Sequence, residues 1–395
     1  MAMKPSRSLA VSSNSREARP PRLAAQVARE LEDRILAAKW PIGYQIGREA
    51  DLAAGMGVSR WTLREAVRIL ESYGFVEARK GAKGGLFVAS SPHDFACKML
   101  SNYFEFVQVS GQEFAEIDMA FGHMALERTI ATLTPGQAAA WQARLDAASN
   151  LPLAKELEAL GSVQQALIAA SGNPIIVLFQ GALNRMTFDA CIYSELDDDA
   201  WHGSFRAMIA IIRAMALGVI ESDIAKARAA SDDFTAICRR FIETSAFYQR
   251  KPVAMTTPQR AYDFFPPARP TKKADHVERA IREMIFEEER PAGTSLGSEK
   301  ELAARFRVGR WVLREALRSL EQLGVIEVGR GGRSGLLVVS PDPAVLAEAC
   351  RRQLGRERAR PAHAAPVRAK LDELTAKLDG PLPAIALFQR VLAKM

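Results

Sequence analysis

The chain has little of what most enzymes and secreted proteins are built on. Its 395 residues hold four cysteines and five histidines. Cys97, Cys191, Cys238 and Cys350 are scattered without the spacing of a metal site or a redox pair, which suits reduced, buried thiols in a cytoplasm. No Walker loop, nucleophile elbow or zinc-binding spacing occurs, so catalysis has no foothold and no cofactor is expected. "GRGGRSG" at 329–335 superficially suggests a dinucleotide loop, but that loop must open a helix and "LLVVS" follows instead. The carboxylate run "ELDDDAW" at 195–201 reads as a helix start or an acidic loop rather than a metal site. No apolar run approaches the roughly 18 residues of a membrane span, and a soluble protein follows as the expectation. The first 21 residues are basic and rich in Ser and Pro, lack the apolar centre of a secretory signal, and read as a disordered arm.

What is present is a repeat. "VSRWTLREAVRILESYGFVE", residues 58–77, returns 250 positions later as "VGRWVLREALRSLEQLGVIE". Residues 24–91 align with 274–341 without a gap, and about 28 of the 68 positions are identical, so the two copies should share one fold. The net charge of +7 is unevenly divided: about +3 on residues 22–91, about +2 on 272–341, and about −7 on 92–250. A polyanionic partner therefore suits the repeats better than the middle.

In the first copy Val27, Leu31 and Ile35 recur at helical spacing, and Pro41 and Gly43 break the helix, as do Pro291 and Gly293 in the second copy. A short helix in "READLAAGM", the turn Gly57-Val58-Ser59, and a longer helix from Arg60 to about Tyr73, stopped by Gly74, follow. Two β-rich runs, "FVEAR" and "GLFVAS", then flank the turn "KGAKG". That order is a winged helix-turn-helix. Ser59 is a good N-cap for the third helix, whereas Gly309 replaces it in the second copy and should leave that helix start less stable. Leu63, Ala66, Val67 and Leu70 share one face of the third helix, and Trp61, Arg64, Glu65 and Arg68 occupy the other.

Residues 92–250 read as all-helical, and the Pro-rich 251–271 as a semi-extended linker. Beyond 341, "LPAIALFQRVLAKM" echoes "NPIIVLFQGALNRM" at 173–186, with Pro383 matching Pro174, Phe388 matching Phe179 and Gln389 matching Gln180. Residues 342–395 thus read as the truncated remnant of a second helical domain, and the chain as a tandem duplication of a two-domain protein. The expected architecture is mainly α, with winged helix-turn-helix domains at 22–91 and 272–341 flanking the helical domain at 92–250.

The turn-plus-helix core of both copies, "GVSRWTLREAVRILESYGFV" and "RVGRWVLREALRSLEQLGVI", resembles the DNA-binding domain of GntR-family bacterial transcription regulators. The middle, with "AASGNPIIVLF", resembles the all-helical effector and dimerisation domain of the FadR-like subfamily. The resemblance implies that the start of the third helix enters the major groove and that two arginines four apart, Arg60 with Arg64 and Arg310 with Arg314, read guanines or phosphates. The physics agrees: a guanidinium fork matches guanine O6 and N7, and the spacing points both side chains into one groove. Trp61 and Trp311 stand where the family usually has a small hydroxyl residue; each could stack on the nucleic acid or wedge between the third helix and the hairpin. Lys80, Lys83, Arg330 and Arg333 in the wings suit phosphate or minor-groove contact. Ser59, Thr62, Arg68 and Arg318 complete the expected DNA-contacting set, together with Lys300, which stands where the family often carries an arginine and the first copy has Ala50.

Many FadR-like domains hold a metal with an aspartate and three histidines, but Leu160, Gln164, Ile212 and Phe234 occupy those four places, a set that can hold no metal. His123 and His202 lie elsewhere and read as solvated or structural, and Asp118 appears where many relatives have a carboxylate-binding arginine, which would make the pocket acidic. The expected protein is a cytoplasmic, sequence-specific transcription regulator that binds double-stranded DNA through two heads per chain. It would respond to a small effector that the sequence does not identify, and it would act as a homodimer or as a single-chain pseudo-dimer. The rival reading is a degenerate oligomerisation scaffold with weak or no specific DNA binding.

Overall fold

The computed structural model describes residues 22–37, 43–72, 75–79, 84–89, 92–192, 194–245, 248, 273–287, 292–322, 324–328 and 335–395. The basic arm at 1–21 and the linker at 251–271 lie outside them. The chain divides into two compact units, residues 1–91 and 92–395.

The first unit runs α1 (Arg22–Ala37), β1 (Gln45–Gly47), α2 (Glu49–Gly55), α3 (Arg60–Ser72), β2 (Val76–Arg79) and β3 (Gly85–Val88). Val27, Leu31 and Ile35 of α1 are buried with Leu63, Ala66 and Leu70 of α3, as the helical spacing of both segments requires. The expected hairpin forms as antiparallel β2 and β3, with Val76 opposite Val88 and Glu77 opposite Phe87. The sheet has a third strand that the sequence pattern conceals: β1 pairs with β3, in the order β1-β3-β2. Three residues, Gln-Ile-Gly, are too few to show alternation. Gly85 lies where β1 and β3 approach closely, since a Cβ there would sit 2.7 Å from the carbonyl oxygen of Gly47.

The second unit contains seven consecutive helices: α4 (Pro92–Phe106), α5 (Gly111–Ala131), α6 (Pro135–Ala148), α7 (Leu153–Ala170), α8 (Pro174–Ile192), α9 (Asp198–Ile220) and α10 (Ile224–Thr244). Ser110, Thr134, Asp197 and Asp223 each accept a backbone N–H at a helix start, so the acidic run at 195–201 serves as a cap. Helices α8 and α9 are long and apolar enough to cross a membrane by length and composition alone, but two-thirds of α8 (67%) is already buried inside the fold. The corresponding share of α9 is 44%, and Arg213 on that helix is tied to Glu156 at 2.6 Å.

The second winged module belongs to this same unit: α11 (Lys273–Glu287), β4 (Ser295–Gly297), α12 (Glu299–Arg305), α13 (Arg310–Gln322), β5 (Ile326–Val328) and β6 (Leu336–Val338). It repeats the sheet order β4-β6-β5 and closes its own core around Leu313, Leu317, Leu320 and Val338. Gly324, at a φ of +68°, supplies the glycine stop after α13, with Val325 N–H donating to the Leu320 carbonyl. Arg282 of α11 donates through Nε and Nη2 to the buried carboxylate of Glu105 on α4, so the module is joined to the helical domain by a desolvated ion pair. Three further helices, α14 (Pro343–Arg356), α15 (Pro361–Lys377) and α16 (Pro383–Leu392), complete the unit.

The 250-residue offset survives in backbone detail. Gln108 after α4 and Arg358 after α14 both take left-handed backbone, at φ 53° and 56°. Gly57 in the first turn has φ 62°, and Arg307 adopts φ 51° at the matching place, at a cost of about 1–2 kcal/mol that glycine does not carry.

Asp118 on α5 is a buried carboxylate, 3% exposed, that accepts from Gln180 and Thr235; burial pushes its carboxyl up from 3.8 to about 6, the two hydrogen bonds opposing it. A carboxyl raised on folding favours the native state while protonated, so its contribution is full below pH 3.8 and declines as pH rises to about 6. Asp118→Asn keeps the shape and removes the charge. The stability difference between this variant and wild type, followed by urea unfolding, is expected to move in the variant's favour by on the order of 3 kcal/mol between pH 4 and 6 and then level off. A difference independent of pH, or one that moves the other way, would contradict this account of Asp118.

Candidate nucleic-acid interface

The face of α3 that is not spent on packing carries Arg60, Trp61, Arg64 and Arg68, all exposed. Ser59 positions the start of this helix: its Oγ accepts the Thr62 N–H at 3.0 Å, the cap expected from the sequence. Its hydroxyl also pairs with Thr62 Oγ1 at 2.8 Å, and Thr62 is only 7% exposed. Thr62 therefore acts as part of the helix start, and the outward face belongs to its neighbours. In α13, Gly309 offers only its carbonyl, to Leu313 N–H at 3.1 Å, and Arg310, Trp311, Arg314 and Arg318 are exposed.

The two modules trade caps. α12 begins with Ser298 in a reciprocal capping box with Glu301, whereas Arg48 at the start of α2 makes no side-chain cap. Ala50 and Lys300, at matching places on α2 and α12, are both exposed, and only the second module has a cation there.

The tryptophans are resolved against the wedge reading. Trp61 is 60% exposed and Trp311 64%, so most of each indole faces solvent rather than the core. Such an exposed indole beside two arginines is suited to stacking. In the first wing Arg79 lies 4.1 Å from the centroid of Phe87, a cation–π contact that the sequence pattern did not suggest. Lys80, Lys83, Arg330 and Arg333 lie outside the described residues.

Each module also contains a carboxylate that helical-wheel reasoning misses. Arg64 Nε donates to Glu49 on the first turn of α2, and Arg314 Nε donates to Glu299 on the first turn of α12, at 2.9 Å. Arg68 instead takes Glu65 of its own helix. The signal was available: Glu49 and Glu299 are identical residues 250 apart on otherwise basic modules. An Nε contact occupies one of five guanidinium donors, so the terminal nitrogens keep a two-pronged edge for another acceptor. The pairs are solvent-exposed, with 63% and 64% of the arginine side chains accessible, and they orient the arginines rather than bury them.

The helical domain contains a cavity of about 180 Å³ lined by Phe188, Phe205, Phe234, Phe241, Ile212 and Gln164 among others. Gln164, Ile212 and Phe234, three of the four positions that the resemblance would assign to a metal, thus come together here as an amide and two hydrocarbon side chains, and Leu160 is fully buried. Asp118 is not part of the lining, because its oxygens are engaged with Gln180 and Thr235 in the core; the expectation of an acidic pocket is corrected accordingly. His123 Nε2 lies 2.7 Å from Asp232, and His202 Nδ1 lies 2.7 Å from the carbonyl of Asp198, so both serve the structure.

Comparison with known proteins bears on the modules. The family described as bacterial regulatory proteins, gntR family, matches residues 23–88 and again 273–336. The HTH-type transcriptional repressor NanR of Enterobacter is 36% identical over 74 residues, covering 19% of this chain and 28% of that protein. An uncharacterised HTH-type transcriptional regulator of Mycobacterium tuberculosis is 35% identical over 105 residues, 26% of this chain and 42% of that protein. The chain thus spans less than half the length of either relative. Among solved structures, a GntR protein of Streptococcus agalactiae aligns over 55% of this chain and 99% of its own, at 19% identity and a TM-score of 0.36.

If the Arg64–Glu49 pair is an orienting contact, a thermal-unfolding double-mutant cycle with Glu49→Gln and Arg64→Met should give a coupling below about 1 kcal/mol at physiological salt. A coupling above about 2 kcal/mol would make the pair a structural brace instead.

Proposed function

We propose, from the premise that this chain carries two domains of the gntR family of bacterial regulatory proteins, that it is a cytoplasmic, sequence-specific DNA-binding regulator with two reading heads. The observation that carries the reading is the repeated outward face: Arg60, Trp61 and Arg64 on α3, and Arg310, Trp311 and Arg314 on α13, none of them needed by the cores beneath. In each head the two arginines enter the major groove from the start of the helix, and the tryptophan between them stacks on sugar or a thymine methyl. Two heads per chain let one chain, or a homodimer, engage half-sites spaced by about one helical turn, 10–10.5 base pairs.

Residues 92–250 take the role of a FadR-like effector domain in this reading. The cavity beside Gln164, Ile212 and Phe234 favours a small, largely apolar effector over a metal-chelated organic acid, because its lining offers no cation and no set of metal donors. An effector would act by changing the relative placement of the heads, and mismatched spacing costs contacts in both grooves.

In vitro selection with the full chain from a random DNA library should enrich a paired motif. Arg64→Ala and Arg314→Ala should each cost about 1–3 kcal/mol on the enriched sequence, and the double substitution more. An effect confined to one head makes the other an accessory, and failure to enrich any motif leaves the scaffold reading in its place.

A further inference from the structure

Helices α14, α15 and α16 are the partial second copy of α4, α5 and α8: the first two follow at the 250-residue offset, and α16 echoes α8 at an offset of 209. In the fold they pack against the helices they duplicate. α14 lies on α4 and α15 on α5, each counterpart against its original; α15 also meets α8 while α16 meets α5, which is the crossed contact seen from both sides. That is the contact rule of an isologous twofold interface, in which residue i meets j and j meets i.

Side chains obey the same rule. Phe388, the counterpart of Phe179, stacks on Phe179 with ring centroids 3.9 Å apart, and Phe104 and Phe121 close around it at 5.5 and 5.9 Å. Glu113 and its counterpart His363 each serve the helix start across the axis. Glu113 Oε1 accepts from Ala384 N–H at 2.9 Å and Ile385 N–H at 3.0 Å at the start of α16. The His363 carbonyl accepts from Asn173 Nδ2 at 3.0 Å, while Asn173 Oδ1 caps α8 through Ile175 N–H. Leu382, standing where Asn173 would be, can cap nothing, so α16 depends on Glu113 for its cap. The groove between α5 and α15 is lined by matched pairs as well, among them Met119 with Ala369, Met124 with Leu374 and Glu127 with Lys377.

We propose that α14–α16 are a built-in dimerisation partner: they occupy, on α4, α5 and α8, the face by which two copies of the helical domain would pair, so that one chain does the work of two. The chain is then a monomer that owns both heads, and the homodimer face is already filled. This goes beyond the DNA-binding reading and does not depend on it.

The test uses the full chain. Glu116 and Lys377 face each other across the α5–α15 groove at 2.7 Å between their charged atoms, Lys377 exposed and Glu116 half-buried at the groove. In the Glu116→Cys, Lys377→Cys double variant, a short bis-maleimide should bridge the two thiols within one chain, since the four native cysteines are buried. Non-reducing electrophoresis should then show no species of doubled mass, peptide mapping should recover the bridge, and light scattering of wild type should give 43.3 kDa at micromolar concentration. A bridged dimer, no bridge at all, or a wild-type mass twice that value overturns the proposal.

Discussion

The thirteen-residue helix α3 has one apolar stripe, and the outward surface of its module follows from what that stripe leaves over. Leu63, Ala66 and Leu70 are committed to α1, and Leu313, Ala316 and Leu320 to the matching core of the second head. Burial of three such side chains at about 1.5–3 kcal/mol for each large one fixes the rotation of the helix, so the arginines and the tryptophan must face solvent. No separate interaction is needed to expose them. The folded state exposes an indole and two guanidinium groups per head, and such a surface makes physical sense against a polyanion with flat faces and acceptor edges.

The two heads have reached the same surface by different local means. One has a serine cap on its recognition helix and none on the helix before it; the other reverses that arrangement. Gly57 accepts a left-handed turn freely, and Arg307 accepts it at a cost. Shared without change are the Arg–Glu pairs, Arg64 with Glu49 and Arg314 with Glu299. Supports have drifted while the outward geometry has stayed, as expected where the surface rather than any particular cap is what each module must preserve.

Much of this was legible in the residues, for identifiable reasons. The gapless repeat announced the same order of elements in both modules, and the wheel of α3 separated the packed face from the outward one, because both signals are local and periodic. β1 was hidden because Gln45–Gly47 is too short to alternate, and its pairing with β3 is set by tertiary contact. Glu49 and Glu299 were missed because a helical wheel considers one helix, while the partner of each arginine comes from another. The exposure of Trp61 was undecidable from sequence, since it depends on how near the wing lies. The echo of Phe179 in Phe388 was visible as a match, yet matching residues need not touch. That they stack is a property of two half-domains folding on each other.

The proposed reading, two heads on a chain whose own helices fill its pairing face, has one central claim: a single chain reads two half-sites. Hydroxyl-radical footprinting of an enriched DNA site, at a stoichiometry fixed by native mass spectrometry, tests it directly. One chain per duplex protecting two segments about one helical turn apart is the predicted result. Protection of a single half-site by one chain, or of the pair only when two chains are bound, would contradict the account.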